Sequence, residues 1–309
     1  MTKMIATRDA YGDALKELGG MNKDIVALDA DLSGSTKTSV FAKAYPDRFF
    51  NVGIAEQNLV GTAAGLATAG KIPFASTFAM FATGRAFEII RNSVCYPKLN
   101  VKIAATHAGL TVGEDGATHQ ALEDISLMRS LPNMVVLSPA DAIETRQCII
   151  KAAEHNGPVY IRLGRAKVPV VLDENYEFQI GKGIELKEGT DVTIIATGVM
   201  VEKALIASEK LAEEGISARV INMASIKPID EDIIIKAAKE TKGIVTVEEH
   251  SIIGGLGSAV TEVASEKQPT HVIRIGTMDT FGESGDGFEL LEKYGLNVEN
   301  IISKVKEII

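Results

Sequence analysis

The chain has no tryptophan and only two cysteines, Cys95 and Cys148, in 309 residues. Two isolated cysteines build neither a disulfide framework nor a thiolate zinc site, so a reducing, cytoplasmic setting is expected. Basic charge is also short. Lys plus Arg number 32 against 41 Asp plus Glu, a net charge of −9, and no Lys/Arg cluster occurs. That balance makes nucleic acid and anionic membrane poor partners. Long apolar runs are missing as well: the uncharged stretches 57–70 and 72–84 are separated by Lys71, and each falls short of the roughly 18 apolar residues that span a bilayer. The opening MTKMIATRDAYGDAL reaches charged residues at once and lacks the apolar core and small-residue cleavage site of a signal peptide, so a soluble, unsecreted protein is expected. What is present is ordinary globular composition, 46% hydrophobic and 24% charged, at a length that suits about two domains.

Short β-branched or apolar runs alternate with stretches of helical period, the pattern of parallel strands joined by crossover helices. Thr7 is placed to cap a helix with Tyr11, Ala14, Leu15 and Leu18 on one face, ended by Gly19 and Gly20. Strands are expected at 25–29, 49–52, 72–76, 101–105, 134–137 and 159–162, with helices at 55–69, 82–94 and 140–154. The segment KVPVVLDENYEFQIGKGIELKEG then mixes prolines, charges and glycines, as a surface connector between two cores does. A second series follows, with strands at 192–196, 218–222, 244–248 and 272–275. The expected fold class is therefore α/β, two consecutive domains that are each a mostly parallel sheet flanked by helices. The boundaries are placed at 1–168 for the first domain, 169–189 for the connector and 190–309 for the second.

Chemistry-bearing residues concentrate before the connector, in loops after expected strands, where open α/β sheets place ligands. The segment 106–120, THAGLTVGEDGATHQ, holds two of the five histidines, His107 and His119, with the acidic pair Glu114 and Asp115 among glycines. Such a loop is either a polar ligand site or a set of ordinary Asx turns. A metal site on His107, Asp115 and His119 is the weaker reading, because their spacing is not that of a compact motif such as H-E-x-x-H. Glu56 enters the first turn of a Gly/Ala-rich helix, where a carboxylate gains roughly 0.3 to 1 kcal/mol from the dipole without any catalytic role. The small residues Gly61, Ala63, Ala64, Gly65 and Ala67 would admit another helix closely. Phe74, Phe78, Phe81 and Phe87 are four of the ten phenylalanines. Most aromatic clusters are core, but Phe78 and Phe81 fall in the turn after a strand, where a flat heterocycle can stack.

Three motifs in order, GIAEQN at 53–58, STFAMF at 76–81 and GEDGATHQ at 113–120, resemble the C-terminal half of transketolase. The resemblance continues through RSLPN at 129–133, PAD at 139–141 and RLGR at 162–165, and VEEH at 247–250, GGLG at 254–257 and FGESG at 281–285 resemble the family's last domain. It implies a pyrimidine-binding domain followed by a transketolase C-terminal domain, without the N-terminal domain that holds the diphosphate of thiamine diphosphate and its divalent metal, Mg²⁺ or Ca²⁺. The GDG at 285–287 has only 22 residues after it and no expected strand before it, so it is read as a chance match to the family's diphosphate motif. No metal ligand is assigned to this chain.

The resemblance implies roles residue by residue. Glu56 matches the acid that hydrogen-bonds the pyrimidine ring nitrogen, for which burial would have to raise its pKa. Phe78 and Phe81 match the aromatic wall on that ring, and Asp31 is placed near the cofactor. Arg8, Ser35, His107 and Arg165 match positions that hold the substrate phosphate, suited to guanidinium forks. Asp115 and His119 match residues that bind sugar hydroxyls. Glu56 and His119 are the candidate catalytic residues. The implied protein is the C-terminal subunit of a split transketolase, working with an N-terminal partner in an α2β2 heterotetramer of carbohydrate metabolism and moving two carbons between sugar phosphates. A 2-oxo acid dehydrogenase β subunit, part of a deoxyxylulose phosphate synthase and a noncatalytic protein of the same fold remain as alternatives.

Overall fold

The computed structural model describes residues 3–309. The first half forms β1 (Met4–Ala6), β2 (Ile25–Asp29), β3 (Phe49–Asn51), β4 (Ile72–Phe78), β5 (Lys102–Thr106), β6 (Val135–Leu137), β7 (Val159–Arg162) and β8 (Lys167–Pro169). Six of these make a parallel sheet in the order β6-β7-β5-β4-β2-β3, while β1 and β8 pair as a separate antiparallel ribbon. Every residue of β2 and β5 is buried, as parallel strands covered on both faces require. The helix Thr7–Met21 buries Tyr11, Ala14, Leu15 and Leu18, the face its spacing predicts, and packs on the helix Ala142–Glu154. Leu15 is fully buried there, a contribution of roughly 1.5 to 3 kcal/mol for such a side chain.

Two local expectations need correction. Thr7 does not cap: the helix starts at Thr7, and Ala6 holds the cap position without a side-chain bond. Instead Thr7 Oγ1 accepts from Gly164 N at 2.7 Å, and Arg8 N donates to Gly164 O at 3.4 Å. A tertiary partner has taken the hydroxyl, and the start of this helix is thereby pinned to the turn after β7. The second correction is the helix expected over 82–94. It consists of π-helical turns at Phe81–Arg85 and Ile90–Cys95 around one α turn at Phe87–Ile89. Such turns take an extra residue into the i→i+5 pattern and recur at functional sites. Here they bury Ala82 and Thr83 and leave Phe81 and Arg85 toward the surface.

The second half forms β9 (Ile184–Lys187), β10 (Val192–Ala196), β11 (Ala218–Asn222), β12 (Ser225–Lys227), β13 (Gly243–Ser251) and β14 (His271–Thr277). Its sheet runs β14-β13-β10-β11-β9, parallel except for β9. β12 departs from this sheet and adds antiparallel to β6, as the seventh strand of the first sheet. The second half thus adds a strand to the first sheet. The chain between β8 and β9 is held to the first half. Asp141 caps the helix Ala142–Glu154 by accepting from Glu144 N, and its other oxygen accepts from Val171 N and Leu172 N, all at 2.9 Å. Among the described residues no helix is long and apolar enough to cross a membrane.

Candidate active site

The sheet order places the functional side chains. Asp31 and Ser35 follow β2, Glu56 follows β3, Phe78 ends β4, His107 follows β5 and Arg165 follows β7. All therefore gather at the carboxyl ends of parallel strands.

Glu56 begins the helix Glu56–Thr68 and is 5% exposed. Its Oε1 accepts from Arg85 Nη1 at 3.2 Å. Its Oε2 accepts no hydrogen bond from the described residues, so a mostly buried carboxylate keeps one oxygen for another donor. The Arg85 guanidinium lies 4.2 Å above the Phe81 ring. Phe81 stacks on Phe78 at 5.8 Å, Phe78 stacks on the His107 imidazole at 3.8 Å, and His119 stands edge-on to both phenyl rings at 6.2 and 5.3 Å.

From His107 the row continues to the basic residues. Arg8 Nη1 donates to His107 Nε2 at 3.1 Å and to Ser35 O at 3.2 Å. Because guanidinium only donates, His107 Nε2 must accept, and Nδ1 carries the proton toward Thr106 Oγ1 at 2.9 Å. Burial first, then the Arg8 and Arg165 charges, push the His107 imidazole down to about 3. His107 also takes φ +59°, a left-handed backbone that costs a non-glycine residue about 1 to 3 kcal/mol and persists where surroundings enforce it. Arg8 and Arg165 line one cavity of about 180 Å³ with Gly113, Glu114, Gly287 and Phe288. Burial chiefly, and the like charge of Arg165, hold the Arg8 guanidinium below its ordinary value, partly offset by Asp9. Arg8 Nε is buried without a hydrogen-bond partner. Arg165 Nη1 donates to Val112 O and, at 2.6 Å, to Glu114 Oε2, so an anion taken by Arg165 competes with Glu114. Two guanidinium groups and the orphaned Arg8 Nε can serve an anion here, set against the Glu114 and Asp286 carboxylates that line the same cavity.

A pH dependence follows for His107. In the unfolded chain its imidazole titrates near 6.5, and in the folded chain near 3, so the unfolded state binds the extra proton between those values. Stability should fall as pH drops through that window, by up to about 1.4 kcal/mol per pH unit from this one group. NMR titration should show His107 neutral throughout pH 5 to 8, and a midpoint near 6.5 would contradict the site's geometry.

Two expected site residues stand apart from the row. Asp31 is exposed, accepts from Asn51 Nδ2 at 2.9 Å and donates from its backbone N–H to Asn51 Oδ1 at 3.1 Å. Asp115 is exposed at the end of the 3-10 turn Leu110–Asp115, on the same loop as His107 and His119. Sequence reasoning overlooked Arg85, although an arginine four residues beyond Phe81 in a helical stretch signals a same-face pair. It also overlooked Asp29, whose Oδ2 accepts from Thr36 Oγ1 at 2.6 Å and Thr38 Oγ1 at 2.9 Å and so shapes the loop carrying Ser35.

The glycine motifs of the second half serve the chain itself. Glu248 accepts from Leu256 N at 2.7 Å and Gly257 N at 2.8 Å, which fills the helix N-terminus in GGLG. Within GDG, Asp286 caps the helix Gly287–Lys293, and a Cβ at Gly287 would lie 3.0 Å from Thr111 Cα.

Residues 3–170 match the family model "Transketolase, pyrimidine binding domain", and residues 181–301 match "Transketolase, C-terminal domain". A chain of Methanocaldococcus jannaschii, provisionally described as a transketolase C-terminal section, is 57% identical over 97% of this chain and 95% of its own length. Human transketolase is 40% identical over 99% of this chain but only 49% of its own length. Among solved structures, "Split gene transketolase, inactive beta4 tetramer" superposes with a TM-score of 0.93 at 62% identity, covering 98% of both chains. The chain belongs to the transketolase family, of which it carries the pyrimidine-binding and C-terminal domains.

Proposed function

We propose that this chain is the C-terminal subunit of a split transketolase, moving a two-carbon ketol unit from a ketose phosphate to an aldose phosphate once an N-terminal partner completes the site. The observation that carries the reading is the unbroken row from Glu56 through Arg85, Phe81, Phe78 and His107 to Arg8, with Arg165 in the same cavity as Arg8. It supplies a carboxylate with a free oxygen, a flat aromatic wall and an anion pocket, in that order. The residues fit thiamine diphosphate on one side of the row and an anionic sugar on the other. When bound, thiamine diphosphate supplies the carbon nucleophile and electron sink that cleave the bond next to a ketose carbonyl.

The chain's own residues do the rest. Glu56 holds a proton at the pyrimidine ring nitrogen through its free oxygen, and Phe78 and Phe81 cover the ring and exclude water. Arg8, Ser35, His107 and Arg165 take the phosphate, where charge-assisted guanidinium bonds fix the substrate's far end. Asp115 and His119 orient its hydroxyls, with His119 positioned to exchange protons there. Asp31, exposed and paired with Asn51 apart from the row, is assigned to the outer edge of the cofactor site. The diphosphate and its Mg²⁺ or Ca²⁺ are assigned to the partner. On the helix Glu56–Thr68, a Cβ at Gly61 or Gly65 would meet nothing within 4 Å, an open face suited to close helix packing in an α2β2 assembly. The similar split-gene chain, described as an inactive β4 tetramer, fits a subunit that self-associates without its catalytic partner. The buried free cysteines Cys95 and Cys148 suit a reducing cytoplasm. We retain domains at 1–168 and 190–309; of the intervening 169–189 segment, β9 joins the second domain's sheet beside β11.

Arg165→Ala in the assembled enzyme tests the sugar-phosphate half of this reading. It removes a charge-assisted interaction worth roughly 1.5 to 3 kcal/mol, so phosphorylated substrates should lose about 10- to 150-fold in kcat/KM. Cleavage of hydroxypyruvate, which lacks a phosphate, should be nearly unchanged. Equal loss for both substrates would assign Arg165 to holding the loop and remove it from the phosphate site.

A further inference from the structure

The segment that carries His107, Asp115 and His119 closes on itself at its base, where Gly109 N donates to Ala121 O at 3.0 Å and Ala108 bridges to Ala121. Its outer side rests on the second half of the chain. Leu110 and Leu122 belong to the hydrophobic core built around β10, β11 and β13. Glu249 on β13 is 2% exposed, and its Oε1 accepts from Thr111 N at 2.6 Å. A Cβ on Gly109, whose φ is +83°, would come within 2.3 Å of the Glu249 carboxyl carbon. Glu249 is fixed in turn: Arg162 Nη2 donates to Glu249 O at 2.8 Å, Arg162 Nη1 stands 3.9 Å from Oε2, and Arg162 Nε donates to Asp124 Oδ2 at 2.9 Å. On the loop's other side, Gln120 Nε2 donates to Leu110 O, Gly113 O and Glu283 O at 3.2, 3.4 and 2.9 Å. A Cβ at Gly282 would lie 1.9 Å from Gln120 Oε1. The VEEH and FGESG motifs, which bear no part of the row itself, therefore meet the loop at two separate points.

We propose that Glu249 is a positioning residue for substrate recognition: through the Thr111 N–H it fixes the turn that presents Asp115 and His119, making the C-terminal domain the mould of the sugar-binding loop. This rests on the transketolase reading for the identity of the ligand, but not for the mechanics of the loop. The carboxylate reaches from β13 across the domain interface to a main-chain donor that would otherwise be buried unpaired. Losing that contact releases the turn at Thr111 from β13 while leaving Glu56, Phe78 and Phe81, which lie on other elements, in place. Displacements of about 1 Å in positioning groups cost on the order of 10²-fold in rate.

The test uses Glu249→Ala and Glu249→Gln, with Gln120→Leu as a second probe of the same loop should Glu249→Ala fail to fold. In the chain alone, amide hydrogen exchange over residues 109–115 should speed up about 10-fold or more in Glu249→Ala. It should stay near wild type in Glu249→Gln, whose amide oxygen still accepts from Thr111 N. In the assembled enzyme, KM for the sugar substrate should rise about 10-fold or more in Glu249→Ala, with thiamine diphosphate affinity unchanged and Glu249→Gln restored. Unchanged exchange at 109–115, or a loosened loop with unaltered KM, would overturn the proposal. In that second case the transketolase reading would stand. An assembled wild-type enzyme with no ketol transfer would instead fail that reading, while the exchange experiment still decides whether Glu249 holds the loop.

Discussion

Glu56→Gln in the assembled enzyme is expected to lower turnover by about 10²-fold or more, the scale of general acid/base effects, without unfolding the chain. The carboxamide keeps the size of the side chain and an oxygen for Arg85 Nη1, which now sits 3.2 Å from Glu56 Oε1. What it loses is the ability to exchange a proton with a ring nitrogen. The contribution of the carboxylate to the helix Glu56–Thr68 through the dipole is only about 0.3 to 1 kcal/mol, so the thermal midpoint should move little. Near-normal turnover would return Glu56 to a purely structural place at its helix start. Large unfolding with little specific loss of turnover would have the same meaning.

The strands were legible because parallel β-strands buried on both faces are written as apolar runs. The run at Ile25–Asp29 matches β2 residue for residue, and Val159–Arg162 matches β7. The candidate site was legible as ordered motifs, since GIAEQN, STFAMF and GEDGATHQ are each one short contiguous stretch of chain. What one element cannot encode was lost. Thr7 carries an ordinary capping signal, yet its hydroxyl serves Gly164, 157 residues away. The π turns around Phe81 and Ile90 leave the apolar period close to that of an α-helix, so their altered geometry had no distinct signature. β12 is three residues, Ser225–Lys227, and its place beside β6 is set by the interface rather than by its own pattern. Glu249 read only as part of the VEEH motif at 247–250. Its partner, the Thr111 amide, lies 138 positions earlier, and a main-chain donor has no sequence signal.

The second large effect concerns assembly. The chain carries the row from Glu56 to Arg8 and Arg165 and spans about half the length of human transketolase; in the proposed function the cofactor's diphosphate and metal are assigned to a separate N-terminal subunit. On that reading the chain alone fixes only one end of the cofactor, and a two-carbon transfer that needs both ends fixed should fall below detection. The open Gly61 and Gly65 face should still drive the chain into dimers or larger oligomers, visible by light scattering. The most direct measurement is ketol transfer from a ketose phosphate to an aldose phosphate with thiamine diphosphate and Mg²⁺ present, with the chain alone and then mixed with the N-terminal subunit. The expected result is no turnover alone and full turnover after mixing, whereas robust transfer by the chain alone would contradict the split-site account.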